Sequence, residues 1–144
     1  MAGPQFITPR VGHTGTPPRR FSLQEANKTL PLVRRIVQDI VKSHAEAVRL
    51  QAAQELTSES AKQAEIQSRL ELQTSHLEDY LDELHEVGCE IKDFDSGLID
   101  FVGRHQGRDV CLCWKLDEIN IEYWHETEAG FAGRKPVSML EEQE

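Results

Sequence analysis

The segment Tyr123-Trp124-His125-Glu126 packs an imidazole, a carboxylate and two aromatic rings into consecutive positions, and Cys111 and Cys113 lie upstream of it. On a strand, Tyr123 and His125 share one face while Trp124 and Glu126 share the other. Cys111 and Cys113 likewise share a face, opposite Leu112 and Trp114. A turn at Asp117-Glu118 would pair the two strands and carry His125 toward the cysteines, giving a Cys/Cys/His set of the ligand types that zinc takes. The spacing departs from zinc ribbons and fingers, which want about two to four residues between paired cysteines and a fourth ligand. Cysteine buried as a small hydrophobe is the simpler account. Nucleophilic catalysis has only Cys111 or Cys113 with His125 to draw on.

Two further clusters invite chemistry. Asp93, Asp95 and Asp100 surround Gly97, as carboxylates do in a calcium loop. Counted from Asp93, however, the position that needs glycine holds Leu98 and the position that needs a bidentate glutamate holds Arg104, so the EF-hand pattern fails. A turn in which aspartates cap their own backbone amides fits better. Asp100 is then left over, at a strand position where the alternation expects an apolar residue. In Gly130-Phe131-Ala132-Gly133-Arg134 the backbone can form an anion nest with Arg134 and Lys135 supplying charge. The alternative is Arg134 paired with an internal carboxylate such as Glu126 or Asp100. No Walker loop, Rossmann fingerprint, Gly-x-Ser-x-Gly elbow or His-Glu-x-x-His is present. His44, His76 and His85 fall on helical stretches as exposed or seam-edge residues.

The scaffold that must position these groups is short. The chain has 144 residues, 38% of them hydrophobic, 28% charged, and a net charge of −9. That length suits one domain with a real core. Residues 1–24 hold Arg10, Arg19 and Arg20 and no acid, which leaves −12 on the rest. Such a body repels phosphate and counts against nucleic-acid binding. No apolar run approaches the roughly 18 residues of a membrane span and no signal-type apolar core follows the N-terminus. The three cysteines, an odd count without a secretion signal, are expected as reduced thiols. A cytoplasmic protein without a membrane or nucleic-acid partner is expected.

Residues 1–20 are rich in Gly and Pro and lack periodicity, so they read as a flexible arm. Ser22 and Glu25 make a capping box at the start of a helix. Pro31 is expected to kink or restart that helix near Thr29-Leu30. Val33, Ile36, Val37, Ile40, Val41, His44, Ala47 and Val48 then fall on one helical face. After a polar break at Thr57–Ser60, Leu70, Leu77 and Leu84 recur at the heptad spacing of a coiled-coil seam, and Gly88 stands where a helix-ending glycine belongs. Two helices of about 30–55 and 59–87 form an antiparallel hairpin, its leucines serving as hairpin core or as an intermolecular zipper. Beyond Gly88 the period becomes two. Short strands at Glu90–Lys92, Gly97–Val102, Asp109–Leu116 and Ile119–His125, with turns at Arg104–Gly107 and Asp117-Glu118, predict an antiparallel meander over about 90–126. The fold class is α+β: a long helical hairpin packed on a small sheet. A glycine-rich loop at 130–136 and a solvated acidic tail at 138–144 complete the chain.

Five ordered motifs carry a resemblance. They are Phe21-Ser22-Leu23-Gln24-Glu25-Ala26-Asn27, Ile91–Phe101, Leu112-Cys113-Trp114-Lys115-Leu116, Tyr123-Trp124-His125-Glu126 and Gly130–Pro136. Together they resemble the bacterial family known as domain of unknown function 2203, from about Phe21 to Val137. The resemblance implies a helical hairpin with a small sheet and brings no catalytic residue or cofactor with it. The reading that results is a non-catalytic binding or assembly module with a polar site of Asp100, Glu118, His125, Glu126 and Arg134. It associates with itself or a protein partner through the hairpin. The alternative is a small metal-dependent protein or enzyme using Cys111, Cys113 and His125 with those carboxylates.

Overall fold

The computed structural model describes residues 19–142. Two long helices lead, α1 (Leu23–Leu56) and α2 (Ser60–Val87). Strands β1 (Cys89–Asp93), β2 (Leu98–His105), β3 (Arg108–Trp114), β4 (Tyr123–Glu126) and β5 (Lys135–Pro136) follow. The sheet is antiparallel throughout, in the order β1-β2-β3-β4-β5. The chain is thus α+β, a helical hairpin laid on a β-meander.

Helix α1 starts as its capping box requires: Ser22 Oγ accepts from the Glu25 amide at 3.0 Å, and a Glu25 carboxylate oxygen accepts from the Ser22 amide at 2.9 Å. The expected break at Pro31 does not occur, since α1 runs unbroken to Leu56. Pro31 itself is exposed, and the buried stripe Ala26, Leu30, Val33, Ile36, Val37 and Ile40 continues on both sides of it. Packing along that stripe outweighs the hydrogen bond that proline removes. Ser43, rather than Val48, sits on the buried side, where its hydroxyl donates to the Gln73 side chain at 2.7 Å. Of the heptad leucines, Leu70 is buried within the hairpin itself, and Leu77 and Leu84 are buried where the hairpin meets the sheet. Gly88 ends α2 with φ +118°, and its amide donates to the Leu84 carbonyl. A Cβ there would lie 2.9 Å from the Phe21 ring, so glycine is required twice over.

One cluster joins both layers. It unites Val33, Ile36, Val37, Ile40, Leu77, Leu81 and Leu84 of the helices with Ile99, Phe101, Val110, Leu112, Trp114 and Trp124 of the sheet. A second, small cluster of Ala47, Leu50 and Leu70 lies farther along the hairpin.

One further sequence expectation is corrected, and two others meet the structure only at their described edges. Residues 119–122 form no strand. The connection between β3 and β4 is instead held to the rest of the protein by side chains. Arg34 donates to the carbonyls of Glu118 and Ile119 at 3.1 and 3.0 Å, Trp114 Nε1 to that of Glu118 at 2.9 Å, and the Ile121 amide to Asn27 Oδ1 at 2.8 Å. The arm expected over 1–20 lies outside the described residues except at Arg19 and Arg20. Arg20 is docked: it bridges Val102 and its guanidinium meets both oxygens of Asp109 at 2.8 and 2.9 Å. Nor is the acidic tail free in solvent as far as it is described. Glu141 accepts from the Gln106 amide at 2.7 Å, and its own amide donates to His105 Nδ1 at 3.0 Å. A Glu142 carboxylate oxygen accepts from the Leu23 amide, at the positive end of α1.

Candidate functional site

The pleat of the sheet sorts its residues into two faces. Cys89, Ile91, Ile99, Phe101, Val110, Leu112, Trp114 and Trp124 belong to the helix-facing cluster. Their alternates, Glu90, Asp100, Val102, Cys111, Cys113, Tyr123 and His125, lie on the other face. Asp100 is therefore in register with its strand's polar positions, not at an apolar one as the sequence suggested. Asp100 pairs with Cys113, and Cys113 with Tyr123; one row along, Val102 pairs with Cys111, and Cys111 with His125. Asp100 and Cys113 are direct neighbours across β2 and β3, and His125 is diagonal to Cys113, within reach on one face.

The contacts follow. His125 is 3% exposed, yet both ring nitrogens are occupied. Nδ1 lies 2.7 Å from the Glu126 carbonyl oxygen, and Nε2 lies 3.3 Å from the Asp100 carboxylate. A carbonyl oxygen only accepts, so Nδ1 must donate. Cys113 Sγ completes a set with Asp100 and His125 in which the three ligand-type atoms lie within 4.8 Å of one another. Burial, then the Asp100 charge, pushes the Cys111 thiol up to about 12 and the Cys113 thiol up to about 11. Thiols so held protonated are poor nucleophiles, which counts against the Cys/His catalytic reading.

A second charged pair closes the edge of this face. Arg134 donates to Glu118 Oε1 at 2.8 Å, both side chains being largely buried, and lies over the rings of Tyr123 and Phe131 at 4.4 and 4.6 Å. The Lys115 amide donates to the same Glu118 oxygen at 3.0 Å. The partner of Arg134 is thus Glu118, neither Glu126 nor Asp100. Glu126 belongs elsewhere: its carboxylate meets Arg108 and lies 3.8 Å from Lys135, which holds its carboxyl below the usual range. Of the sequence candidates, then, Asp100, Cys113 and His125 converge, with Cys111 alongside. Glu118 and Arg134 form an adjoining pair, and Glu126 points away.

Other candidates resolve into local structure. Asp93 caps its own turn, accepting from the Ser96 amide at 2.9 Å and the Ser96 hydroxyl at 2.6 Å, which lowers its pKa. His44 stacks on Phe94 with ring centroids 4.5 Å apart, and burial lowers its pKa. His105, expected in a turn, ends β2 instead, where it is buried and packs 4.4 Å from the Trp124 ring. The alternation Ile99, Phe101, Gly103, His105 would have placed it on the core face.

Beside the cluster, a groove of about 520 Å³ runs over the same face toward the end of α2. Arg19, Glu86, Lys92, Asp100 and Cys111 are among its lining residues.

Residues 19–137 match the family model described as "Uncharacterized conserved protein (DUF2203)". The chain belongs to this family. The DUF2203 match spans both the helical hairpin and every residue of the polar face, whereas Glu141 and Glu142 lie beyond it. Nothing matches the chain among curated proteins or among solved structures. Among the described residues, no helix is long and apolar enough to cross a membrane.

Proposed function

We propose that this protein is a non-catalytic binding module whose polar sheet face receives a small molecule. The observation that carries the reading is the groove of about 520 Å³ opening onto Asp100 and Cys111, next to charged groups fixed on a rigid sheet. Its volume is that of a small-ligand site. Val102 gives it an apolar patch, and its rim is of mixed charge, Arg19 and Lys92 against Glu86, Glu90 and Asp100, so the matching ligand has an apolar body and charged groups of both signs. The raised thiol pKa values support binding rather than catalysis.

The test is a thermal-shift screen of small zwitterions against metal-free protein in chelator. A ligand at about 100 times its Kd stabilises by about 2.7 kcal/mol, a readily measured shift. Binders should lose their effect in Val102→Trp, which fills the groove, and weaken in Lys92→Ala. A screen whose hits stabilise Val102→Trp equally overturns the groove as the site.

Assembly, on this reading, runs through the hairpin, whose outer surface carries the exposed apolar side chains Val48, Leu56 and Leu72. Light scattering at high protein concentration tests it. A strict monomer removes self-association and leaves the sheet site standing.

A further inference from the structure

The ring of His125 poses a problem that a small-molecule groove does not answer. Its Nδ1–H is committed to the Glu126 carbonyl at 2.7 Å, so in the neutral ring Nε2 carries a bare lone pair. That lone pair faces carboxylate oxygens of Asp100 at 3.3 Å, in a site where His125 is 3% and the Asp100 side chain 10% exposed. A positive centre belongs between them: a proton on Nε2, which makes the His125–Asp100 ion pair of the metal-free protein, or a metal ion in its place.

We propose that Asp100, Cys113 and His125 form a binding site for a divalent metal ion of the zinc class. The dimensions agree. Ligands about 2.0–2.1 Å from one ion at tetrahedral angles stand about 3.3 Å apart, and Asp100 and His125 are 3.3 Å apart. Sulfur bonds are longer, about 2.3 Å, and the Cys113 sulfur lies within 4.8 Å of both partners, so metal binding draws it inward. The chemistry agrees as well. One imidazole, one thiolate and one carboxylate make a mixed set that favours a borderline-soft ion over calcium or magnesium. Asp100 and a Cys113 thiolate together cancel a 2+ charge.

The carbonyl behind His125 supplies the outer hydrogen bond that orients a metal-bound imidazole and fixes its tautomer. The high pKa of the Cys113 thiol reflects burial and the Asp100 charge. A cation reverses both causes, and a coordinating thiol gives up its proton to solvent as the metal–sulfur bond forms. The groove, which reaches Asp100 and Cys111, is the entry path and leaves room for a water as fourth ligand. Three protein ligands and one exchangeable position is the pattern of an open site.

The experiment uses full-length protein purified without a metal-affinity tag and stripped with chelator, titrated with Co(II) and then Zn(II). The expected result is one equivalent of Co(II), giving a thiolate-to-metal charge-transfer band and the strong visible bands of tetrahedral cobalt, both erased by Zn(II). Cys113→Ala should abolish the charge-transfer band. Asp100→Asn and His125→Gln should each weaken binding by at least about tenfold, the smaller loss seen when only an outer partner is removed. If circular dichroism shows that Cys113→Ala is unfolded, the other two variants carry the test. Absence of the band with excess Co(II), its survival in Cys113→Ala, or unchanged affinity in Asp100→Asn and His125→Gln overturns the site. The small-molecule screen is run in chelator, so failure here leaves that reading intact and the reverse also holds.

Discussion

His125 and Asp100 depend on each other, and the dependence is measurable without metal. Replacing His125 by Leu leaves the Asp100 carboxylate buried without its imidazole partner. Breaking one partner of such a pair costs about 3 kcal/mol or more, whereas replacing both by apolar residues costs far less. In metal-free protein, urea denaturation should show His125→Leu strongly destabilised and the Asp100→Leu/His125→Leu double variant partly recovered; simple additivity of the two losses would contradict the pairing. The thiols make a second prediction, of pH dependence. Burial raises Cys89 and Cys111 to about 12 and Cys113 to about 11 from an unfolded value of 9.0. The folded state therefore holds thiol protons that the unfolded state has released, and stability is fully present below pH 9 and lost as pH climbs toward 11–12. Urea midpoints should fall between pH 9 and 11, and fall less in Cys111→Ala; a flat alkaline limb would mean the thiols are solvated. The residue types of this site were visible in the sequence, because period two places Cys111, Cys113 and His125 on one face. The partner choices were not. That the Asp100 carboxylate meets His125, and that Glu118 rather than Glu126 meets Arg134, depends on the β2–β3 register and on the fold of a loop, and neither leaves a local pattern.

Among the elements, α2 is the least reinforced. Its N-cap is Glu59, which makes no side-chain capping bond, and its first turn holds no acid to meet the helix dipole. Glu59→Ser supplies an oxygen for the free amides and should add about 0.5–1 kcal/mol, read as a rise of about 2 °C in Tm by the usual scaling. An unchanged or lower Tm would show that the α1–α2 turn, where the Glu59 amide already donates to Thr57 Oγ1 at 3.3 Å, satisfies this end by other means. Helix α1 has the opposite character, with a complete capping box and a Glu142 oxygen on its first turn. Both helices were legible from period and caps, and so was the glycine stop at Gly88. The continuity of α1 through Pro31 was not, because a proline rule is local and the stripe that overrides it is held by the sheet. Residues 119–122 show the converse. Ile119-Asn120-Ile121-Glu122 alternates like a strand, yet its Ile119 carbonyl and Ile121 amide are taken by Arg34 and Asn27 of α1, more than 80 positions away, and its Glu122 carbonyl by the Val137 amide.

Taken whole, the molecule has two stability tiers, since its apolar contacts are unevenly divided. The main cluster ties the sheet to α1 from Ala26 to Ile40 and to α2 from Leu77 to Leu84. Past this region the hairpin holds together through Ala47, Leu50 and Leu70 with Ile66 against them, and through polar bonds such as Gln54 Nε2 to Gln67 Oε1 at 3.0 Å. Residues 60–65 of α2 are all exposed. Opening of the distal hairpin exposes little apolar surface, so its free energy must lie well below that of global unfolding. Helix propensity cannot make up the difference, since isolated helical segments of this length are marginal in water. The sheet is different: Trp114, Phe101, Leu112 and Trp124 are almost fully buried, and the polar face adds the His125–Asp100 and Arg134–Glu118 pairs on top of them. Native-state hydrogen exchange should therefore show amides of about 51–69 exchanging through local opening, insensitive to low urea, while those of β2, β3 and 77–84 exchange only on global unfolding. Leu77→Asp, which buries an unpaired carboxylate in the upper tier at a cost of several kcal/mol, should accelerate every protected amide. Leu70→Ala should accelerate chiefly the distal set and leave the sheet protected. If Leu70→Ala instead lowers protection in β2 and β3 as much as in the hairpin tip, the molecule unfolds as one unit and the two tiers do not exist.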